Sequence, residues 1–511
     1  PVRKSASDEI ISQFDKVAVE RMGFLKADIL GLRNLTTLHK AAELVEQRKG
    51  LRIDYYNLQD TPDDVDVWEL FDRGLTRSIF QLEGSGITDV AKQLKPRSVS
   101  DLSTIVALYR PGVIGAGMLD EYIARATGNK KVEFLTPQLE GILRDTYGIW
   151  VFQEDVMNVF MTLADFTPEE ADQIRAAIGK KNQKQLNAQR PKFIEGCAKN
   201  NISEDIAATL FAQIEASGDY LFNKAHSLAY ATIAYWTAYM KAHHFLEWYC
   251  ACMTTVGMDK APYYIKEARR RGVHVIPPLI NKMGKDYTIV SDTEISFGLE
   301  GIKGVGEKAI DKILENAPYA DFEDFVNRAN VNAAVTKTLI RAGLFREWHP
   351  NTRDLLVKYE DGSFHSTLFG NELDAYEHVP YDNERIIEIE RELFGMPLSV
   401  DPFERYRNML GGMLDNVVSV EDLNTAAFNA VNVLLVRITR VKTHMSKSGL
   451  MAFISFESEC GEFFEATCFA DMYSAGSGIL IEGKYALVEI YKKVWNGKTS
   501  LQINKLKGLG A

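Results

Sequence analysis

Hydrophobic periodicity changes character between the body and the tail of this 511-residue chain. From about residue 33 to 275, apolar residues recur at three- and four-residue spacing, as in 41–48, 170–178, 206–214 and 230–243, which predicts helices. The tail carries five strand-like runs, at 431–441, 450–457, 462–469, 484–492 and 499–506. Ser446-Lys-Ser-Gly449, Glu459-Cys-Gly461 and Asn496-Gly497 join some of them with turn chemistry. Five strands with one longer insert between the third and fourth predict an OB-type β-barrel. The expected fold class is therefore multidomain α+β, a mainly helical body followed by a barrel.

Other segments divide the chain further, and its length suits roughly three to four domains. Residues 1–32 read as a short helix and then an apolar, strand-like run from Gly23 to Gly31. Thr167-Pro-Glu-Glu170 reads as a helix start, with a hydroxyl cap, proline in the first turn and acids behind it. Pro277-Pro278 closes the long helical region, short glycine-broken helices fill about 279–350, and 354–424 is acidic. No run approaches the ~20 apolar residues of a membrane span, and no signal peptide is visible. Five cysteines without a C-x-x-C pair fit a reducing, cytoplasmic setting and argue against structural zinc.

A net charge of −11 would by itself disfavour a nucleic-acid partner. Its distribution removes the objection. Residues 354–424 hold 16 acids and five bases, so the rest of the chain is neutral overall. Within it, residues 174–194 carry six bases (Arg175, Lys180, Lys181, Lys184, Arg190, Lys192) and no acid, an anion-binding signal or a solvated helix face. The tail 431–511 has ten bases and seven acids, with Phe453, Phe456, Phe464 and Phe469 among them, the mixture by which OB barrels bind single strands.

Four short patterns carry chemistry. Lys26 and Asp28 share one face of a strand-like run flanked by apolar residues, so Asp28 must be paired, hydrogen-bonded or metal-bound, most simply as the ion-pair partner of Lys26. Phe222-Asn-Lys-Ala-His-Ser227, after Tyr220, sets Lys224 and His226 at a helix start, a cradle for a triphosphate or an ordinary cap with core packing. Leu299 to Ile310 fits a helix-hairpin-helix: Gly304 and Gly306 let the backbone turn so that N–H groups meet a phosphate, and Lys303 and Lys308 add charge. Pro62-Asp-Asp-Val-Asp66 looks like a metal cluster but precedes a helical pattern, where proline and acids are start signals, and is rejected as one.

Strings in order along the chain resemble the alpha subunit of bacterial DNA polymerase III, the C-family replicative polymerases. They include Leu25-Lys-Ala-Asp-Ile-Leu-Gly-Leu32, Phe80-Gln-Leu-Glu-Gly-Ser-Gly86, Ala107-Leu-Tyr-Arg-Pro-Gly112, Thr146-Tyr-Gly-Ile149, Gln153-Glu154, Arg175 to Lys181, Phe222 to Ser227 and Gly301 to Gly306. The resemblance implies that 1–32 is the C-terminal part of a palm, 33–278 fingers, 279–350 a helix-hairpin-helix region, 351–425 a clamp-binding region and acidic linker, and 426–511 an OB-fold domain. It assigns Asp28 as the third catalytic, metal-binding aspartate and Lys26 as its neighbour facing the nucleotide. Arg175, Lys180, Lys181, Tyr220, Lys224 and His226 become nucleotide-binding residues, although the second arginine of the family's pair is Ala176 here. Leu368 and Phe369 of His365-Ser-Thr-Leu-Phe369 match a sliding-clamp peptide, with histidine in place of the family's glutamine.

The implied function is template-directed deoxynucleotidyl transfer to a primer 3′ end with two Mg²⁺ ions. The expected partners are primer-template DNA, dNTPs, a sliding clamp and an N-terminal half (palm, thumb and phosphoesterase-like domain) that holds the other aspartates. Without that half the chain is expected to be inactive, and its start at Pro1 fits a piece, a processed product or a polymerase divided between two polypeptides. A bacterial cytoplasm, or that of a phage-infected host, is the expected location, with no membrane association. The alternatives are a non-catalytic DNA-binding replication module and an inactive polymerase relative.

Overall fold

The computed structural model of the chain describes residues 2–25, 31–58, 60–179, 182–257, 261–364, 378–412, 417, 420, 423, 428–447, 449–459, 463–495 and 498–510. An antiparallel hairpin comes first, β1 (Val2–Lys4) and β2 (Ile10–Ser12), closed by a Lys4–Asp8 ion pair of 2.7 Å. Helix α1 (Lys16–Arg21) follows. The helix was expected and the hairpin was not, because three-residue strands are too short to show alternation. Gly23 to Leu25 lie in no strand, contrary to the strand-like reading of 23–31. Lys26 and Asp28 fall outside the described residues.

The helical body begins with α2 (Arg33–Lys49), α3 (Val65–Asp72), α4 (Ser85–Leu94), α5 (Val99–Leu108), α6 (Pro111–Gly115) and α7 (Met118–Ala126). Next come α8 (Pro137–Leu143), α9 (Gln153–Ala164), α10 (Pro168–Gly179), α11 (Gln183–Lys199) and α12 (Glu204–Ser217). Side chains of Asp64, Ser98, Thr136, Asn182 and Ser203 accept N–H groups at five of these helix starts. Thr167 and Glu170 exchange bonds as a capping box ahead of α10, as its sequence predicted. Phe160 of α9 meets Phe166, Phe193 and Phe211 at 5.3, 4.7 and 6.0 Å, which centres the core of α8–α12. Helix α11 approaches the end of α9 so closely that a Cβ on Gly196 would stand 2.2 Å from the Ala164 carbonyl oxygen.

Helix α13 (Lys224–His243) runs through the body against α2, α3 and α5, and leads to α14 (Phe245–Val256) and α15 (Ala261–Arg270). Its buried residues spread over more than half of its circumference, so no narrow apolar stripe marks it. Near its C-terminal end Lys241 is completely buried. Its ammonium donates to the carbonyls of Leu75 (2.7 Å) and Arg77 (2.5 Å) and to Glu267 of α15 (2.6 Å). Burial pushes this lysine down to about 8 while Glu267 pulls it back up.

A small sheet follows, with β3 (His274–Ile276) parallel and β4 (Thr288–Ile289) antiparallel to β5 (Glu294–Ser296). Helices α16 (Glu307–Glu315), α17 (Phe322–Arg328) and α18 (Ala333–Arg341) form the glycine-punctuated region. The acidic stretch contains α19 (Thr352–Asp361), α20 (Asn383–Phe394) and α21 (Glu404–Leu410). Leu368 and Phe369 lie outside the described residues.

The tail is a closed five-stranded barrel of order β10-β8-β7-β6-β9, built from β6 (Asn432–Ser446), β7 (Gly449–Ser458), β8 (Phe463–Cys468), β9 (Tyr485–Trp495) and β10 (Lys498–Leu509). Helix α22 (Ala470–Gly476) occupies the expected insert between the third and fourth strands. Phe456 is wholly buried inside, Phe453 and Phe464 are half-buried, and Phe469 is exposed. The α+β class, mainly helical body, hairpin region and barrel agree with the sequence. The barrel rests on α21 through Phe403, Tyr406 and Tyr485, and reaches α15 through Lys266–Glu457, a 2.9 Å ion pair. Among the described residues no helix is long and apolar enough to cross a membrane.

Lys241→Ala is expected to lower unfolding free energy by about 3–5 kcal/mol, because it strands a buried carboxylate and two carbonyls. Urea denaturation measures this.

Candidate nucleotide and nucleic-acid site

Two helix starts are tied together by one backbone bridge. Phe152 and Phe222 pair in parallel: Gln153 donates its N–H to the Phe222 carbonyl (2.8 Å), and Phe222 donates to that of Val151 (2.9 Å). The chain then enters α9 at Gln153 and α13 at Lys224, so both first turns face the same junction. Asn223 caps α13 by accepting the His226 N–H at 2.7 Å. Glu154 of α9 accepts the Lys224 N–H at 2.8 Å and an Asn223 side-chain N–H at 3.1 Å. A carboxylate thus already occupies the start of α13. An anion at this junction is left to the side chains.

Those side chains are cationic and aromatic. The Lys224 ammonium lies 5.3 Å from the centre of the Phe152 ring, and the Arg110 guanidinium 4.5 Å from that of Phe222. Arg110 donates to the carbonyls of Ala107 and Tyr220, each at 2.6 Å, which fixes the Tyr220 backbone. Burial lowers the pKa of this guanidinium, and among the described residues no carboxylate is paired with it. Arg175 donates to Gln153 Oε1 (3.3 Å) and to Asp172 (2.8 Å), so α10 joins the same junction. His226 is exposed, its ring 4.3 Å from that of Tyr230 and 5.6 Å from that of Phe222. Tyr220 is half-buried beside Gly112, where a Cβ would stand 3.9 Å from its ring.

The structure therefore brings Arg175, Tyr220, Lys224 and His226 together, while Lys180 and Lys181 lie outside the described residues. It adds Arg110, Gln153, Glu154 and Asp155, which the sequence reading did not single out as site residues. Ala107 to Gly112 and Gln153-Glu154 were part of the resemblance, but only the bridge between Phe152 and Phe222 brings them to α13. The acid-free window 174–194 is not a bare cationic face. Lys192 is paired with Glu170 and lies 4.5 Å from the Phe166 ring centre, and Arg190 stacks on Phe211. The acids Glu170 and Asp172 come from just before the window, one helical turn away or across a helix contact.

The helix-hairpin-helix presents Lys303 and Lys308 to solvent. Gly304 has φ +95°, which requires glycine, whereas Gly306 caps α16 at φ −87° and does not. The expected need for two glycines thus holds for one. Lys303 donates its N–H to the Leu393 carbonyl of α20 (3.0 Å), so this turn is anchored to the helix of the acidic stretch. Asp64 caps α3 and accepts from His243 at 3.0 Å, in agreement with rejecting 62–66 as a metal site. Among the described residues no three His, Cys, Asp or Glu side chains converge as a metal site, so these residues alone do not fit a two-ion centre. A cleft of 860 Å³ lies far along the chain from this junction, between α20, α21 and the barrel, and holds none of these groups.

A family model described as the bacterial DNA polymerase III alpha subunit finger domain matches residues 34–201. It covers Arg110, Gln153, Glu154 and Arg175. A second, the helix-hairpin-helix motif, matches 272–355. The chain is 35% identical to the DNA polymerase III subunit alpha of Aquifex aeolicus over 503 residues, 96% of this chain and 42% of that protein. The chain belongs to the DNA polymerase III alpha-subunit family. The corresponding subunits of Pseudomonas aeruginosa and Bacillus subtilis are each 31% identical over 94% of this chain and 45% of their own length. The chain therefore spans less than half the length of these relatives.

Asp155, in the first turn of α9, is a buried carboxylate of this junction. Burial pushes its carboxyl up to about 6, with Lys224 pulling it down. A raised folded-state value means stability that is full below the unfolded carboxyl range and is lost as pH rises through about 6. Asp155→Asn is therefore expected to stabilise the fold by about 1–3 kcal/mol at neutral pH and by nothing below about pH 4. Thermal unfolding across pH measures it.

Proposed function

We propose that this chain carries the nucleotide-binding and part of the DNA-binding machinery of a replicative DNA-directed DNA polymerase. The observation that carries this reading is the junction of α9, α10 and α13, where Arg110, Arg175, Lys224 and His226 surround two aromatic rings within and beside a finger-domain match. Cations around a triphosphate provide positioning and charge neutralisation, the main protein contributions to phosphoryl transfer. In this reading Arg175, Lys224 and His226 bind the phosphates together with Lys180 and Lys181, and Lys26 faces the incoming nucleotide. Tyr220 and Phe222 border the nucleotide, with their backbone fixed by Arg110. The hairpin at Lys303, Gly304, Gly306 and Lys308 contacts the DNA backbone, and the barrel takes single-stranded template.

Asp28 is proposed as a catalytic carboxylate. Two Mg²⁺ ions, held jointly with aspartates outside this chain, would supply charge stabilisation for nucleotidyl transfer. The remaining part of such a polymerase is the proposed partner of residues 2–25, a reading supported by their exposed apolar side chains, including Ile10 at 75%, Phe24 at 65% and Leu25 at 93%. Leu368 and Phe369 are proposed to anchor a sliding clamp.

Primer extension by the complete polymerase tests this reading. Asp28→Ala is expected to remove extension while leaving DNA binding in place. Lys224→Met is expected to raise the dNTP KM by roughly tenfold or more, the cost of one charge-assisted phosphate contact. Full extension by Asp28→Ala overturns the catalytic assignment and leaves a DNA-binding module.

A further inference from the structure

Helix α10 brings a single cation to the junction. Arg175 is the one basic residue between Pro168 and Gly179, and the residue after it is Ala176. Its side chain is 33% exposed. A half-exposed arginine on a helix samples many rotamers, and ordering it for a ligand costs conformational entropy. Here two acceptors restrict it. Asp172 of α10 accepts from Nε at 2.8 Å, and Gln153 of α9 accepts from Nη1 at 3.3 Å. Nη2 makes no hydrogen bond among the described residues.

The two acceptors differ in their anchorage. Asp172 is exposed and belongs to the same helix as Arg175, so it moves with α10. Gln153 stands on α9, and its backbone N–H is fixed to the Phe222 carbonyl at 2.8 Å. The next residue, Glu154, accepts the Lys224 N–H at 2.8 Å. Gln153 thus ties the guanidinium of α10 to the start of α13. A guanidinium has donors only, so the amide oxygen of Gln153 faces it and the amide nitrogen turns away. A neutral oxygen holds the guanidinium without cancelling its charge, which a carboxylate in the same place would do.

We propose that Gln153 is a positioning residue for Arg175: its side-chain carbonyl, carried on the Phe152–Phe222 bridge, holds the guanidinium in register with the start of α13, and Nη2 is left for a phosphate oxygen of the incoming nucleotide. The inference rests on the nucleotide-binding reading above. An arginine fixed beforehand loses less freedom on binding phosphate, so the gain appears in nucleotide affinity.

The test is steady-state primer extension by the complete polymerase, with KM for dNTP, kcat and primer-template Kd read separately. Gln153→Met keeps the backbone bridge and the side-chain length and removes the acceptor. It is expected to raise KM roughly fivefold, the effect of one lost charge-assisted hydrogen bond, with kcat and primer-template Kd within about twofold of the unaltered protein. In an Arg175→Met background, where KM is already raised, the same substitution is expected to add nothing. An unchanged KM in Gln153→Met overturns the inference. So does an increase of the same size in the Arg175→Met background, or a loss of kcat and primer-template binding in place of the KM effect. Should Gln153→Met fail to fold, Gln153→Asn, which keeps the amide but shortens its reach by one methylene, must raise KM instead, and an unchanged KM overturns the inference equally. A dNTP KM left unchanged by Arg175→Met would instead overturn the reading of Arg175 as a phosphate ligand.

Discussion

A buried ammonium sets where the functional junction can be. Lys241 satisfies two carbonyls before α4 and a carboxylate of α15 in one place, so two segments distant in sequence are fixed to the end of α13. That helix is 20 residues long, a rod of about 30 Å. Its other end carries Lys224 and His226. With the C-terminal end locked, the rod sets where its N-terminal turn lies. It meets α9 through the Phe152–Phe222 bridge, and the cations of α10 and of the Arg110 turn follow from that contact.

The junction handles charge in an unusual way for a chain so acidic overall. Glu154 neutralises the partial charge of the α13 start, which leaves the side-chain cations in surplus. Arg110 satisfies its donors with carbonyls, so its full charge stays available. The acids responsible for the net negative charge lie mostly in the stretch of α19–α21, where Glu384, Glu392 and Asp401 pair with Arg405, Arg341 and Arg407. The same stretch supports the hairpin region and the barrel: α20 holds the hairpin turn through Leu393, and α21 holds the barrel through Tyr406 and Tyr485.

Long, regular elements were legible in the sequence. The five barrel strands, the insert that became α22, the capping box at Thr167 and the helix start at Asp64 came out where local pattern placed them. The misses were of two kinds. The hairpin of β1 and β2 is too short for its alternation to be visible. The basic window of 174–194 looked bare because its counter-charges, Glu170 and Asp172, stand just outside it in sequence but close to it in space. Gly306 was read as a conformational necessity and is an ordinary helix cap.

What the sequence by itself determined was local: periodicity, caps, turns and the family strings, each of which depends on residues a few positions apart. What only tertiary structure decided was which charges remain available. Arg110 and Lys224 pair with no carboxylate among the described residues, whereas Arg175 pairs with Asp172 and Lys192 with Glu170. The reason is physical: pairing and desolvation act over a few ångströms, and the residues that come that close are set by how α9, α10 and α13 pack. Asp155 is the sharpest case. In sequence it is one acid in the first turn of a helix, and only burial in the packed body pushes its carboxyl up to about 6.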